Sequence, residues 1–435
     1  MRYVWLDSGL ATKVFVDVYG CSANQADAEI ASGLLNEAGL ILVGDEAEAD
    51  VSVILTCIVK SPTEQKMVKR LQGMAASGRK FVVAGCMPKA LRNRLDEIAP
   101  DASIVGPDDI SAIPRAVSDS MNGLRGVYLD GSSPGRTCLP RVRRSSIIHI
   151  APIASGCLGN CSYCIVKLAR GVLRSFPMKE IVSDANVAIQ YGCKEIWVTA
   201  EDTAAYNDNG CTLPDLVNML SSIEGEFRIR VGMMTPNSAM PIIEELMQSY
   251  LNQKVFRFLH IPIQSGSNEI LKKMRRKYNF SDFMEVVEKF RKGVPQLSIS
   301  TDMICGFPGE TDEQFNESLA LVNQLRPDVL NISRFWPRPG TEAANLVDQL
   351  PGWKTKDRSR KLDELWKNVS HDVNRRWVGW EGEVLLDEEG HSEAKIGRNQ
   401  SYKAIAIRTD SQLGQFVKVR ITGSAKGYLL GEKII

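Results

Sequence analysis

Three closely spaced cysteines are the residues best suited to carry chemistry. Cys157, Cys161 and Cys164 form a C-x3-C-x2-C pattern within the stretch GCLGNCSYC. Thiolates hold iron–sulfur clusters, and a four-iron cluster normally takes four of them. With three protein ligands, one iron keeps an open position at which a substrate can bind, as happens at catalytic zinc. Gly156 and Gly159 suit a tight loop around a cofactor.

A structural zinc site or a chance grouping of thiols is the alternative interpretation of this motif. Structural zinc sites use four ligands. No fourth Cys or His lies close by in the sequence, and His149 falls on the preceding predicted strand. The spacing therefore favours an iron–sulfur cluster.

Three further cysteines each follow directly on a short apolar run that is typical of a buried strand. The cysteines are Cys21, Cys57 and Cys86, and the runs are 13–20, 50–56 and 80–85. The carboxyl ends of parallel strands meet at one edge of a sheet, where α/β proteins bind ligands. These thiols therefore predict a second metal site. The alternative is that each is a small buried core residue.

Bulk properties place the chain in a reducing compartment. Asp7 and Lys13 interrupt any apolar signal sequence at the N-terminus, so we expect a cytoplasmic protein with reduced thiols. No apolar run reaches the roughly 18 residues of a membrane span. The net charge of +1 argues neither for nor against a nucleic-acid partner. Four isolated cysteines receive no role: Cys138, Cys193, Cys211 and Cys305.

The 435 residues are enough for two to four domains. Alternating strands and helices over 12–120 predict an N-terminal parallel-sheet α/β domain. The Gly-, Ser-, Pro- and Arg-rich stretch 121–146 predicts a linker. Six strand–helix units over 147–370 predict a full or partial α/β barrel, with an open doubly wound sheet as the alternative. Short strands with turns over 372–435 predict a small antiparallel β-barrel.

The predicted elements can be stated by residue range. In the N-terminal domain a helix is expected over 24–38. The six central strands are expected at 147–155, 195–200, 227–234, 255–263, 297–307 and 328–336, with helices at 178–192, 213–223, 241–251, 281–293 and 312–325. A charged helix over 353–379 is expected to precede four strands at 382–390, 403–410, 416–423 and 427–433.

The C-terminal segment carries a local excess of positive charge. From Ala394 to Gly431 the only negative residue is Asp410. The positive residues are Lys395, Arg398, Lys403, Arg408, Lys418, Arg420 and Lys426. Small barrels with such a face bind phosphate backbones, and aromatic side chains among the cations can stack on bases. A merely solvated basic face is the alternative.

Eight segments of the chain resemble the radical S-adenosylmethionine (SAM) methylthiotransferases. They include GCLGNCSYCIVKLARG and TDMICGFPGETDEQF, and their ranges are 18–29, 55–66, 83–90, 156–171, 195–206, 258–267, 301–315 and 334–341. The details resemble the archaeal and eukaryotic type that acts on threonylcarbamoyladenosine (t6A) in tRNA. The C-terminal part resembles the TRAM RNA-binding barrel. Stretches 204–212 and 230–240 differ from the family pattern.

This resemblance implies two 4Fe-4S clusters and a role for SAM as radical source and methyl donor. Cys157, Cys161 and Cys164 would hold the radical SAM cluster, and Cys21, Cys57 and Cys86 an auxiliary cluster in the N-terminal methylthiotransferase domain. The residues implied to contact SAM are Tyr163, Glu201, Gln264, Asp302 and Glu310. Turn and helix-cap chemistry is the alternative for the polar residues that follow the later strands.

The implied reaction replaces the C2–H of t6A at position 37, next to the anticodon, by C2–S–CH3. That C–H bond is not acidic, so a radical is a direct route and the cofactors carry the hard chemistry. The implied partners are a tRNA, an electron donor and a sulfur source, the last two of unknown identity, and no membrane. The alternatives are a methylthiotransferase for isopentenyladenosine tRNA or a ribosomal protein side chain, and a non-catalytic RNA-binding iron–sulfur or zinc protein.

Overall fold

The computed structural model describes residues 12–59, 61–131 and 136–434. Its N-terminal part is a sheet of six parallel strands in the order β2-β1-β3-β4-β5-β6. The strands are β1 Lys13–Val18, β2 Ile41–Val43, β3 Val51–Thr56, β4 Phe81–Gly85, β5 Ser103–Val105 and β6 Val127–Tyr128. The helices are α1 Ser22–Glu37, α2 Ser61–Ala76, α3 Cys86–Ala90, α4 Arg92–Ile98 and α5 Ile113–Met121.

Burial of both sheet faces explains why these strands could be recognised in the sequence. Every residue of β3 and β4 is buried, and strands covered on both faces read as continuous apolar runs. The predicted parallel sheet is therefore confirmed. The segment 121–146, predicted as a linker, contributes β6 to the edge of this sheet, where Ile104 pairs with Val127. A two-residue strand is too short to leave a periodic signal.

The central part contains ten strands and eight α-helices among its described residues. Its strands are β7 Ile148–Pro152, β8 Ala154–Ser155, β9 Arg174–Ser175, β10 Glu195–Thr199, β11 Asn207–Asp208, β12 Cys211–Thr212, β13 Arg228–Val231, β14 Phe258–His260, β15 Ser298–Cys305 and β16 Val329–Arg334. Its helices are α6 Val166–Arg170, α7 Met178–Gln190, α8 Leu213–Ser221, α9 Pro236–Ala239, α10 Ile243–Tyr250, α11 Asn268–Lys273, α12 Phe280–Gly293 and α13 Asp312–Leu325.

The six long strands of this part form a partial α/β barrel. The order is β7-β10-β13 in one parallel sheet and β14-β15-β16 in another. A parallel bridge between Ile229 and Val255 joins β13 to the segment that leads into β14. All six strands therefore follow one another in chain order, without the reversal that defines a doubly wound sheet. Their carboxyl ends consequently share one rim.

A long helix connects this barrel to the C-terminal unit. Helix α14 spans Gly352–Arg375, so it crosses the predicted boundary between 370 and 372. It is followed by a closed barrel in the order β17-β18-β19-β21-β20. The strands are β17 Glu381–Glu389, β18 Ala394–Arg398, β19 Ala404–Arg408, β20 Phe416–Ser424 and β21 Leu429–Lys433. Short 3-10 helices lie at Glu46–Glu48, Pro107–Ala112, Thr203–Ala205, Met240–Ile242 and Glu342–Asn345.

Two details of the C-terminal prediction need correction. The barrel is not wholly antiparallel, because β19 and β21 pair in parallel, with Ile405 opposite Leu429. Closure of five strands, an odd number, requires one such pair. Strand β18 was not predicted, because the stretch AKIGR has a single β-branched residue, Ile396, and contains Gly397, which is depleted in strands.

Candidate metal centres

The loop that carries Cys157, Cys161 and Cys164 leaves the first barrel strand at the carboxyl rim. The main-chain nitrogen of Cys157 donates to the carbonyl of Gly171 at 3.2 Å. Gly156 adopts a φ of +82°, and a Cβ there would lie 2.3 Å from the carbonyl oxygen of Val172. Only glycine therefore permits this turn.

The space between two of these thiols is kept open by Gly159. A Cβ at Gly159 would lie 3.2 Å from Cys157 Sγ and 3.7 Å from Cys161 Sγ. Its own main-chain nitrogen lies 3.2 Å from Cys157 Sγ and donates to it. Backbone donors to sulfur are among the contacts that tune iron–sulfur clusters. The loop thus fits a bulky inorganic group surrounded by the three sulfurs.

A buried cation lies against the same loop. Arg276 Nη1 donates to Cys161 Sγ at 3.1 Å and lies 3.4 Å from the hydroxyl of Tyr163. Its Nε donates to the hydroxyl of Tyr278 at 2.7 Å. Burial raises the pKa of the Cys164 thiol to about 11. Such thiols remain protonated near neutral pH unless a metal binds them, since coordination deprotonates a thiol.

The second set of cysteines meets at the carboxyl edge of the N-terminal sheet. Cys21 is the N-cap of α1, Cys57 follows β3, and Cys86 is the first residue of α3. Burial raises the pKa of Cys57, and it raises the pKa of Cys86 to about 12. The three cysteines follow strands that are neighbours in the sheet, in the order β1-β3-β4.

Gly20 and Asn24 shape the space around these sulfurs. Gly20 has a φ of +116°, and a Cβ there would lie 2.9 Å from Cys57 Sγ. Asn24 is fully buried, and its Oδ1 lies 3.7 Å from Cys86 Sγ. A larger residue at either position would enter the space between the thiols.

The two cysteine sets adjoin across the boundary between the N-terminal sheet and the barrel. Ser22, next to Cys21, shares a hydrogen bond of 2.7 Å with Thr199 at the end of β10. Helices α3 and α6, which begin at or just beyond a cysteine of each set, contribute to one apolar core through Met87, Ile165 and Ala169. The sequence predicted the sheet edge and the barrel rim separately, and the structure brings them together.

Neither set has the geometry of a site for a single metal ion. In the described ranges, no three Cys, His, Asp or Glu side chains stand close enough to hold one ion. Two thiolates on one zinc lie at most about 4.6 Å apart, because each Zn–S bond is about 2.3 Å. A four-iron cluster takes each thiolate on a different iron and spreads them further apart.

Four of the five residues implied to contact SAM lie around the rim. Glu201 follows β10, and its Oε2 is buried without a hydrogen-bond partner among the described residues. Asp302 lies 3.2 Å from His260 Nε2 and accepts from Asn331 at 2.6 Å.

Gln264 pairs with Met303 in an isolated parallel bridge and has a φ of +75°. Tyr163 packs edge-on against Phe307, and its ring centroid is 6.5 Å away.

Glu310 has a different environment. Its Oε2 lies 2.6 Å from Arg358 Nη1 in a fully buried ion pair and accepts from the main-chain nitrogen of Gly306 at 2.8 Å. These contacts join the loop after β15 to α14. The carboxylate is therefore engaged by the protein itself and braces the loop that it lies on.

Sequence analysis missed several charged residues at this boundary. Burial raises the pKa of Asp202, which nevertheless accepts hydrogen bonds from Thr235 at 2.7 Å and Ser238 at 2.8 Å. Arg276 contacts Cys161 Sγ, and Arg170 contacts Asn24, whose Oδ1 lies 3.7 Å from Cys86 Sγ. The only sequence signal for Arg170 was its position six residues after Cys164. Arg276 stood out only as a member of the basic run 272–277, which predicts a solvated helix or an extension of the RNA-binding surface.

Three of the predicted RNA-binding residues are occupied by contacts within the protein. Lys403 Nζ lies 2.8 Å from Asp328, and its side chain is 7% exposed. Arg398 Nε lies 3.0 Å from Asp387. Lys395 donates to a main-chain carbonyl. These residues attach or brace the barrel, so the basic face is smaller than the sequence predicts.

The remaining four predicted residues are exposed. They are Arg408, Lys418, Arg420 and Lys426. Arg420 is 2.6 Å from Glu381, and Lys418 stands opposite Glu383 in the pairing of β17 with β20. Exposed Tyr428 lies on the same barrel. The barrel surface that faces solvent is therefore of mixed charge.

Comparisons with known proteins agree with this arrangement. The profile of Uncharacterized protein family UPF0004 matches residues 13–106, the Radical SAM superfamily 152–322 and the TRAM domain 375–434. Among solved structures, the radical SAM methyltransferase TsrM from Kitasatospora setae, with cobalamin and a 4Fe-4S cluster bound, has a TM-score of 0.57 at 13% identity over 77% of each chain. At that identity the likeness concerns the fold alone.

Full-length relatives are closer. The probable threonylcarbamoyladenosine tRNA methylthiotransferase of Pyrococcus horikoshii is 41% identical over 426 residues, which are 97% of this chain and 99% of the relative. The threonylcarbamoyladenosine tRNA methylthiotransferase of Danio rerio is 36% identical over 97% of this chain and 78% of its own length. These names favour the tRNA interpretation over the alternatives raised from the sequence.

The fold and the three-cysteine loop at the barrel rim define a radical SAM enzyme, a class that uses a 4Fe-4S cluster and SAM. It is a transferase, and tRNA is its substrate. The chain belongs to the threonylcarbamoyladenosine tRNA methylthiotransferase family. Within the described residues, no helix combines the length and the apolar character that crossing a membrane would require.

Proposed function

We propose that this enzyme inserts a methylthio group at C2 of t6A at position 37, next to the anticodon. The observation that carries the proposal is the hydrogen bond of 2.7 Å across the domain boundary between Ser22, next to Cys21, and Thr199 at the carboxyl rim of the barrel. A radical formed at one site and sulfur held at the other must reach the same base carbon. Adjacent sites meet that requirement, whereas separated sites do not.

The auxiliary 4Fe-4S cluster is part of this proposal. Cys21, Cys57 and Cys86 supply three thiolates, and the space beside Gly20 and Asn24 supports a cluster at this edge. Burial raises the pKa of Cys57 and Cys86, and coordination to a metal would deprotonate both thiols. Each predicted domain then has a proposed role. Residues 12–120 hold the auxiliary cluster, residues 147–370 bind SAM, and residues 372–435 bind tRNA.

SAM is proposed to bind along the barrel rim. When bound with the first cluster, it supplies the radical that removes the C2 hydrogen, and it is also the methyl donor. The unpartnered Glu201 Oε2 provides a buried acceptor for hydroxyl or amino groups. Asp302, Gln264 and Tyr163 line the same rim, and Arg276 holds the cluster loop through Cys161. The electron donor and the sulfur source are separate partners of unknown identity.

We further propose that the exposed cations of the C-terminal barrel contact tRNA phosphates. Arg408, Lys418 and Lys426 are exposed, so their charges can reach a phosphate backbone. Tyr428 is 43% exposed and is available to stack on a base. Arg398 and Lys403 serve instead to attach the barrel, because both form ion pairs with limited exposure.

Nucleoside mass spectrometry of tRNA tests the proposed function. In a strain that lacks the gene, the wild-type chain should restore the 2-methylthio derivative of t6A. Cys57→Ala should leave only unmodified t6A while 5′-deoxyadenosine still forms in vitro. Cys138→Ala, a change at an exposed cysteine without a proposed role, should behave like the wild type. Accumulation of the methylthio nucleoside with Cys57→Ala would refute the auxiliary site. Methylthiolation of another nucleoside instead would refute the substrate.

A further inference from the structure

Arg170 links the helix that follows Cys21 to Glu201 of the proposed SAM site through one buried guanidinium. It is the last residue of α6, the helix that follows Cys164, and it is 2% exposed. Its Nη2 donates to Asn24 Oδ1 at 2.8 Å and to Asp27 Oδ2 at 2.9 Å, both on α1. Its Nε lies 3.4 Å from Glu201 Oε1. A single side chain thus touches the helix of the auxiliary site and the carboxylate of the proposed SAM site.

The orientation of Asn24 is fixed by its own contacts. Its Nδ2 donates to the carbonyls of Tyr19 and Thr56, each at 2.8 Å. Carbonyl oxygens can only accept, so the amide cannot be flipped and Oδ1 must face Arg170. The same Oδ1 lies 3.7 Å from Cys86 Sγ. One oxygen therefore separates the guanidinium from a proposed cluster ligand.

Arg170 is also the member of its charge network that lies nearest the thiols. The network alternates in sign, because Asp27 Oδ1 pairs with Arg136 at 2.9 Å on the side away from Arg170. Among the described residues of this network, Arg170 is the one that shares a partner with a proposed cluster ligand, because Asn24 Oδ1 lies 2.8 Å from Arg170 Nη2 and 3.7 Å from Cys86 Sγ. Arg136 is equally buried and shares the same carboxylate, but it has no contact with a cysteine among the described residues.

We propose that Arg170 is a positioning residue that stabilises the negative charge of the reduced auxiliary cluster and keeps Glu201 aligned with that cluster. The inference rests on the proposed function, because it requires a cluster at Cys21, Cys57 and Cys86. A buried cation close to a cluster favours the form with the added electron. Loss of the cation should therefore move the midpoint potential of the auxiliary cluster to a more negative value.

The test compares Arg170→Met, Arg170→Lys and the matched control Arg136→Met in the full chain, reconstituted anaerobically. Iron and sulfide analysis establishes that both clusters are present. Redox titration followed by electron paramagnetic resonance then gives the midpoint potentials. A parallel set in which Cys157, Cys161 and Cys164 are changed to Ala assigns the auxiliary signal. The ratio of 5′-deoxyadenosine to methylthiolated product reports whether the two sites still act together.

We expect Arg170→Met to keep both clusters, to shift only the auxiliary potential to more negative values and to raise the ratio of 5′-deoxyadenosine to product. Arg170→Lys should shift that potential less, because the charge remains. Arg136→Met should leave it unchanged. If Arg170→Met loses iron, the proposal is tested on Arg170→Lys, whose auxiliary potential should still be more negative than that of the wild type.

An unchanged potential in the Arg170 variants would overturn the proposal, and so would an equal shift in Arg136→Met, since the effect would then come from domain packing. A wild-type chain that holds one cluster would instead refute the proposed function itself, whatever the Arg170 variants show. The two failures are therefore distinguishable.

Discussion

The hydroxyl groups of Ser22 and Thr199 lie 2.7 Å apart, and this hydrogen bond joins the residue after Cys21 to the residue at the end of β10. We predict that Ser22→Ala and Thr199→Val each raise the yield of 5′-deoxyadenosine per methylthiolated product. Because both changes remove the same bond, the double variant should be little worse than either single one. Product and 5′-deoxyadenosine can be measured in one assay. Additive effects would show that the two hydroxyls act independently.

Arg276 should affect SAM cleavage at the radical SAM cluster and not the proposed auxiliary cluster. Arg276→Leu removes the donor to Cys161 at 3.1 Å. Hydrogen bonds to charged groups contribute about 1.5–3 kcal/mol, which corresponds to a roughly ten- to 150-fold slower cleavage of SAM. Arg275→Leu is the matched control, because that side chain is 51% exposed and pairs with Glu342 on the surface. Equal rates in the two variants would contradict the assignment.

The attachment of the C-terminal barrel should weaken as the pH rises. Burial, assisted by Asp387, raises the pKa of Glu195 from 4.5 to about 8. Between these values the folded state binds a proton that the unfolded state releases, so stability falls as the pH increases through about 8. Glu195→Gln removes the part of this dependence that Glu195 contributes, while burial still raises the pKa of Asp387.

Thermal unfolding measures this effect. The midpoint of Glu195→Gln should exceed that of the wild type most at about pH 9, and the difference should shrink steadily as the pH falls toward 4.5. Glu383→Gln serves as the control, since Glu383 is half exposed and pairs with Arg228 on the surface. A wild-type midpoint that rises over this range would contradict the prediction.

Exposed and occupied cations of the C-terminal barrel should respond differently to substitution. Lys418→Ala with Lys426→Ala should weaken tRNA binding and lower the slope of log K against log salt by about 0.7–0.9 for each phosphate that is no longer neutralised. Lys403→Ala should mainly lower thermal stability, because it breaks a pair with Asp328 that is largely shielded from solvent. Binding titrations at several salt concentrations check both statements. A lower salt slope for Lys403→Ala alone would reverse our assignment.

The sequence was informative where local pattern and three-dimensional position coincide. The strands that precede Cys21, Cys57 and Cys86 are short apolar runs, so their common edge could be predicted. The barrel strands and helices were equally recognisable. The approach of that edge to the barrel could not be predicted, since the contact between Ser22 and Thr199 joins residues 177 positions apart.

Charge was the least predictable property. Arg398 and Lys403 read as free cations in the sequence, yet their partners Asp387 and Asp328 lie outside the basic segment or in another domain. Glu310 likewise follows a strand, as a residue that binds SAM would. Its carboxylate instead accepts a hydrogen bond from Arg358, 48 residues later in the chain. Pairing depends on tertiary neighbours, so local sequence cannot decide which charges remain available.

The apolar core shared by α3 and α6 limits how the chain can be divided for laboratory work. Ile165 and Ala169 from the barrel complete a cluster that contains Ile58 and Met87 of the N-terminal sheet. A fragment that stops before residue 147 would leave that apolar surface in water, and we expect it to aggregate on expression. Isolated halves would thus be poor substitutes for the intact polypeptide in crystallisation or spectroscopy.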